Sequence, residues 1–192
     1  MLPKLPKLPK PSPLKPKSRN DLAMSTVPVA VVMGSKSDLE IVQGAFDILD
    51  KFGVKFSARV LSAHRTPAEA AAFASSAEQK GFMVIICAAG MAAHLGGVIA
   101  AHTVLPVVGI PVPSAPFNGM DALFSIVQMP PGIPVAAVTA GKAGGKNAAL
   151  YAISILALND PELQAKLHAF RQEQQAQVLA ADAELQEKLN SR

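Results

Sequence analysis

Phe56-Ser57-Ala58-Arg59-Val60-Leu61, followed at once by Ser62-Ala63-His64-Arg65-Thr66-Pro67, reads as a strand running into a helix start. The first six residues are a mainly apolar run of strand length. Thr66-Pro67-Ala68-Glu69 then has the make-up of a helix amino terminus: Thr66 can cap, Pro67 suits the first helical position, and Glu69 can close a capping box. His64 and Arg65 therefore fall at the carboxyl end of a strand, which is where open parallel sheets bind their ligands. An imidazole that exchanges protons near neutrality, beside a permanently charged guanidinium, suits an anionic substrate.

The alternation of strand and helix extends to both sides of this junction. Upstream, Val29-Ala30-Val31-Val32-Met33 is uniformly apolar, as expected of a strand covered on both faces. Gly34-Ser35-Lys36-Ser37-Asp38-Leu39-Glu40 follows, with Ser37 and Glu40 at capping-box spacing. The next helix carries an apolar stripe of Val42, Ala45, Phe46, Leu49 and Phe52, and stops at Gly53. Downstream, a helix is expected to Gly81, then a strand over 83–88, a Gly/Ala loop over 89–97, a short helix, and a strand near 107–110. The Pro/Ser-rich loop 111–118 lies at the same end of the sheet. A helix near 119–129, a strand over 135–138, the loop Gly141–Lys146 and a helix to about Leu158 complete the series. Asn159 or Asp160 caps a last helix, with Pro161 at its start and a stripe of Leu163, Leu167, Phe170 and Val178. Five βα units with right-handed crossovers predict an α/β fold: a three-layer, doubly wound parallel sheet of five core strands, flavodoxin-like in outline, plus a C-terminal helix. One domain is expected over 25–180, ending in the amphipathic helix, with a helical tail over 181–192.

Composition narrows the function classes. The chain has 192 residues, half of them hydrophobic, enough for one core of normal size. No uncharged apolar run reaches membrane-span length. The single cysteine, Cys87, sits inside the apolar 83–88 run, which fits a buried small hydrophobe and a reducing cytoplasm. The formal charge of +4 is unevenly placed: residues 1–24 carry six basic side chains against Asp21, leaving 12 basic and 13 acidic residues in the rest. The basicity thus belongs to the first 24 residues, so neither nucleic acid nor a membrane is expected as a partner of the domain. Those residues repeat Leu-Pro-Lys and then continue through Pro11, Pro13 and Pro16, which reads as a disordered, extended arm. It is either a dispensable extension or upstream start, with Met24 as the older initiator, or a charged tether to a partner or membrane.

Among the loops, Gly34-Ser35-Lys36-Ser37-Asp38 offers free backbone N–H groups and hydroxyls at a helix amino terminus, which favours a phosphate, while Asp38 could accept from sugar hydroxyls. The alternative is a plain capping box without a ligand. The loop at 141–146 is not a P-loop, because Ala140 stands where the first Gly is needed and Asn147 where Ser or Thr is needed. No G-x-G-x-x-G follows a strand either, so no nucleotide cofactor is expected. His94, His102 and His168 lack ligand-type spacing with Cys or carboxylates, so no metal is expected. His94 lies in a Gly/Ala loop at the ligand end, as site or as scaffold.

Val32-Met33-Gly34-Ser35-Lys36-Ser37-Asp38, Ser62-Ala63-His64-Arg65-Thr66-Pro67, Ala92-Ala93-His94-Leu95, Ser125-Ile126-Val127-Gln128-Met129-Pro130 and Gly141-Lys142-Ala143-Gly144 together resemble the class I PurE family over about residues 28–175. Its members are N5-carboxyaminoimidazole ribonucleotide mutases of purine biosynthesis. The resemblance implies a cofactor-free isomerisation with His64 as general acid/base, and with Ser35, Asp38 and Arg65 holding the ribose phosphate. Gly34, Ser62, Ala63, Gly90 and His94 complete the substrate-binding set it suggests. It also implies a cytoplasmic homo-octamer with sites at subunit contacts. Proton shuttling suits imidazole, whose ordinary pKa is about 6.5, and a small-residue loop over 89–97 could help sequester CO2. Members usually have Gly where Met91 stands and Pro where Gly96 stands, and this chain has Pro116-Phe117 in place of an Ala/Leu-type pair. Two other readings are a carboxylase of the same superfamily that uses free CO2, and a non-catalytic sensor of a phosphorylated metabolite. His64-Arg65 counts against the carboxylases, which tend to carry His-Lys.

Overall fold

The computed structural model describes residues 27–191, so the Pro/Lys-rich arm expected over 1–24 lies outside the described residues. The elements run β1 (Val29–Met33), α1 (Leu39–Phe52), β2 (Phe56–Val60), α2 (Pro67–Ser76), β3 (Val84–Gly90), α3 (Leu95–Ala100), β4 (Val107–Val112), α4 (Met120–Val127), β5 (Ala136–Ala137), α5 (Lys142–Leu156) and α6 (Pro161–Asn190). All four strand pairings are parallel, in the order β2-β1-β3-β4-β5. That is the doubly wound, flavodoxin-like order, and its direction reverses between β1 and β3, the switch point beyond whose strand carboxyl ends open α/β sheets bind their ligands.

The uniformly apolar strands feed two cores by simple alternation. Val29, Val31 and Met33 of β1, with Val84, Ile86 and Ala88 of β3, pack under α1 and α5. Ala30, Val32, Ile85, Cys87 and Ala89 face the opposite layer with α2, α3 and α4. Burial pushes the Cys87 thiol up to about 12, so it acts as a small hydrophobe. Among the described residues no helix is long and apolar enough to cross a membrane.

Three local expectations are corrected. The capping box is closed by Ser35 and Asp38 around a 3-10 turn at Lys36–Asp38, so α1 begins at Leu39, and the Ser37/Glu40 pair is not the cap. Thr66 makes no capping bond to α2, because its hydroxyl is used within the preceding turn. The helix after it ends at Ser76, five residues before Gly81, where the Ser76 hydroxyl donates to Ala72 O and Phe73 O. Asp160 caps α6, accepting from Leu163 N at 3.0 Å, and the helix runs unbroken past position 180.

Candidate active site

Three loops meet beyond the carboxyl ends of β2, β1 and β3. The loop after β1 is anchored by Gly34 N–H, which donates to Ala88 O at the end of β3 at 3.0 Å. Ser35 N–H donates to Asp38 Oδ2 at 3.0 Å, while the Ser37 hydroxyl donates to Ser35 Oγ at 2.9 Å. Asp38 is the one polar side chain in the described core, 7% exposed. Burial pushes its carboxyl above the ordinary carboxylate range, and the hydrogen bonds from Ser35, Ser37 and Gly34 and the Arg65 charge pull in the other direction.

The turn after β2 folds on its own hydroxyls. Ser62 N–H donates to Thr66 Oγ1 at 2.9 Å, and Thr66 Oγ1 donates back to Ser62 O at 3.1 Å. Ser62 Oγ accepts from Arg65 N–H at 3.1 Å, and Arg65 Nη2 reaches across to Gly34 O at 3.0 Å. One guanidinium therefore ties the β2 turn to the β1 loop and keeps further N–H donors for an anion. Ala63 is half-buried between Ser62 and the exposed His64.

His64 turns toward the loop after β3. Its Nε2 lies 2.7 Å from Nδ1 of His94, with the rings nearly perpendicular at 88°. At that distance the two rings are hydrogen-bonded, one imidazole donating where the other accepts according to their tautomers. His94 is thus brought against His64 at the carboxyl end of the sheet. Gly90 has a structural reason to be glycine: a Cβ there would lie 3.0 Å from Val112 O on the paired strand.

The next residue, Met91, is in the left-handed region at φ +56 and is largely exposed. This conformation explains why glycine suits the position, since it costs an L-residue about 1–2 kcal/mol. Met91→Gly is expected to raise unfolding stability by about 0.5–1 kcal/mol, after the entropy of the added glycine. Denaturant titration at fixed protein concentration would read this, and a loss of stability would mean that the Met91 side chain packs on something that glycine gives up.

Ser37 was not among the expected binding residues, although the serine-rich loop signalled it. Ser114 Oγ and Asp121 Oδ1 are buried without a hydrogen-bond partner in the segment after β4. The Pro/Ser composition of 111–118 placed that segment at the ligand end but singled out neither residue.

The AIR carboxylase family model matches residues 28–177. The N5-carboxyaminoimidazole ribonucleotide mutase of Escherichia coli K12 is 52% identical over 162 residues, spanning 84% of this chain and 94% of its own. That of Saccharolobus solfataricus is 51% identical over 156 residues, 81% of this chain and 98% of its own. Among solved structures, Treponema denticola PurE superposes with a TM-score of 0.74 at 28% identity, covering 82% of this chain and 97% of that one.

Proposed function

The chain belongs to the AIR carboxylase family, and from that premise we propose that it isomerises N5-carboxyaminoimidazole ribonucleotide to 4-carboxy-5-aminoimidazole ribonucleotide in purine biosynthesis. The observation that carries this reading is the His64–His94 pair set beside the Ser35–Asp38–Arg65 cradle. A group that moves protons near neutrality stands next to a group that holds an anion. A sensor of the same ligand would need the cradle but not the imidazole.

The ribose phosphate sits on the Ser35 and Ser37 hydroxyls and the Arg65 guanidinium, with Asp38 accepting from sugar hydroxyls. Protonated His64 gives its proton to the exocyclic nitrogen of the carbamate, the C–N bond breaks, and CO2 leaves a free amine. C4 of the imidazole then attacks that CO2. Neutral His64 removes the C4 proton, which restores the aromatic ring and returns His64 to its starting charge. The His64–His94 hydrogen bond steers the ring so that the same imidazole meets both positions. Relatives carrying the mutase name at about half identity favour this reading over carboxylation by free CO2. Incubation of the purified chain with the carbamate ribonucleotide, followed by the change in imidazole absorbance, tests it. Binding without any absorbance change would support the sensor.

CO2 must not escape between the two steps, yet His64, Arg65 and His94 are all exposed in the single chain. A cover is needed, and the same end of the sheet offers an apolar surface. Phe117, Met120, Phe124 and Val127 recur at helical spacing on and before α4, with Phe117 63% and Phe124 60% exposed. Such a stripe is a subunit contact, and we read the working enzyme as a cytoplasmic multimer, an octamer by family resemblance. Phe124→Glu is expected to shift the chain toward a 20.0 kDa species in sedimentation equilibrium and to lower turnover in parallel. An unchanged multimer would place the contact elsewhere.

A further inference from the structure

Among the described residues, Met91 and Asn118 are the non-glycine residues with positive φ, at +56 and +51. Asparagine enters that region readily and methionine does not. The neighbours of Met91 impose the conformation. Gly90, just before it, is held where a Cβ would lie 3.0 Å from Val112 O. His94 N–H, just after it, donates back to Ala92 O at 2.7 Å. Backbone strain of this kind persists where the surroundings fix it, above all at ligand sites.

Two contacts place Met91 relative to the substrate. Met33 of β1 pairs with Ala88 of β3, and Gly34 N–H donates to Ala88 O, so the anion cradle opens at the level of Ala89 and Gly90. Three residues past Met91, His94 meets His64 at 2.7 Å. Met91 thus leaves the central strand between the cradle and the histidine pair, and it belongs to neither core cluster. A nucleotide with its phosphate on Ser35 and Arg65 and its base at His64 must lay that base across this gap. Within residues 90–94, Gly-Met-Ala-Ala-His, Met91 is the one large apolar side chain. On the substrate proposed above, we infer that Met91 is a base-binding residue, whose thioether lies on the face of the aminoimidazole ring and holds that ring toward His64. A thioether is polarisable, and the unbranched methionine side chain has three rotatable bonds. It therefore adapts to an aromatic ring and gains a sulfur–ring contact. The cradle reads the phosphate and Met91 reads the heterocycle.

Equilibrium binding of two probes to the assembled full chain and its Met91 variants tests this. Aminoimidazole ribonucleotide carries the ring, and ribose 5-phosphate does not. Met91→Gly and Met91→Gln are each expected to weaken the first probe by about 3–10-fold and to leave the second unchanged. Gln keeps the side-chain length and the left-handed strain, so its loss isolates the apolar contact. Met91→Leu keeps an apolar side chain of similar volume and should stay within about twofold of the wild type. Met91→Gly should gain folding stability while it loses affinity, whereas a methionine that only props the loop or a neighbouring subunit would lose both. Equal losses for the two probes, no loss for either, or a Met91→Leu variant as weak as Met91→Gly would overturn the inference. A wild-type chain that binds the two probes equally well would overturn the substrate reading itself, and this inference with it.

Discussion

His64→Asn is expected to keep substrate bound and to slow turnover by about 10²–10⁴-fold. Asn matches the size of imidazole and can accept or donate one hydrogen bond, so the contact to His94 Nδ1, at 2.7 Å in the present structure, can be partly preserved. The phosphate cradle is untouched, because Ser62 Oγ and Gly34 O hold Arg65 without help from His64. What Asn cannot do is carry a proton to the exocyclic nitrogen and take one from C4. The fall should therefore appear in kcat with little change in ligand affinity. Single-turnover rates and equilibrium binding of product, measured on the same preparation, separate the two. A variant retaining more than about a tenth of the wild-type rate would remove His64 from the acid/base role.

The second large effect concerns the frame behind the site. Gly145→Ala is expected to cost about 2–4 kcal/mol of unfolding stability, at the upper end for an added methyl group. α1 and α5 cross so closely that a Cβ on Gly145 would lie 2.2 Å from Ile41 O and 3.3 Å from Ala45 N. Both obstacles are backbone, so neither can swing aside. Ala's better helix propensity, about 1 kcal/mol, offsets only part of the clash. Gly44→Ala, across the same crossing, meets the flexible Lys146 side chain at 3.1 Å and should cost under about 1 kcal/mol. Denaturant midpoints of the two variants decide the matter. Equal and small losses would mean that the helices separate without penalty. Because Glu40 of α1 and Lys142 of α5 form an ion pair beside the β1 loop, a shifted crossing would also disturb the cradle.

The parallel α/β sheet was legible because the signals are short-range and agree with one another. Uniformly apolar strands such as β1 and β3 announce coverage on both faces, and Pro67, Pro161 and Gly53 mark helix ends by fixed backbone chemistry. The exact cap of α1 was not legible. Ser35/Asp38 and Ser37/Glu40 both satisfy the spacing, and the choice is made by partners far along the chain, Ala88 O and Arg65, which fix the loop so that Ser35 is extended. Thr66 shows the same limit, since its hydroxyl has two possible uses and the compact Ser62–Thr66 turn takes it. In the site, His64 and Arg65 could be singled out from the strand–helix junction alone. The pairing of His64 with His94 could not, because the two residues are 30 positions apart and no local pattern links them. Met91 stood out as a departure, and its φ of +56 supplies the physical meaning.

The most direct measurement follows the carboxyl group itself. A mutase moves CO2 within one closed site, so the carboxyl carbon of the product must come from the substrate. Unlabelled carbamate ribonucleotide, turned over by the assembled chain in ¹³C-bicarbonate, should give product almost free of label at early times. Product labelled from the outset to the level of the dissolved pool, together with activity on aminoimidazole ribonucleotide and free CO2, would contradict the mutase reading and make the enzyme a carboxylase.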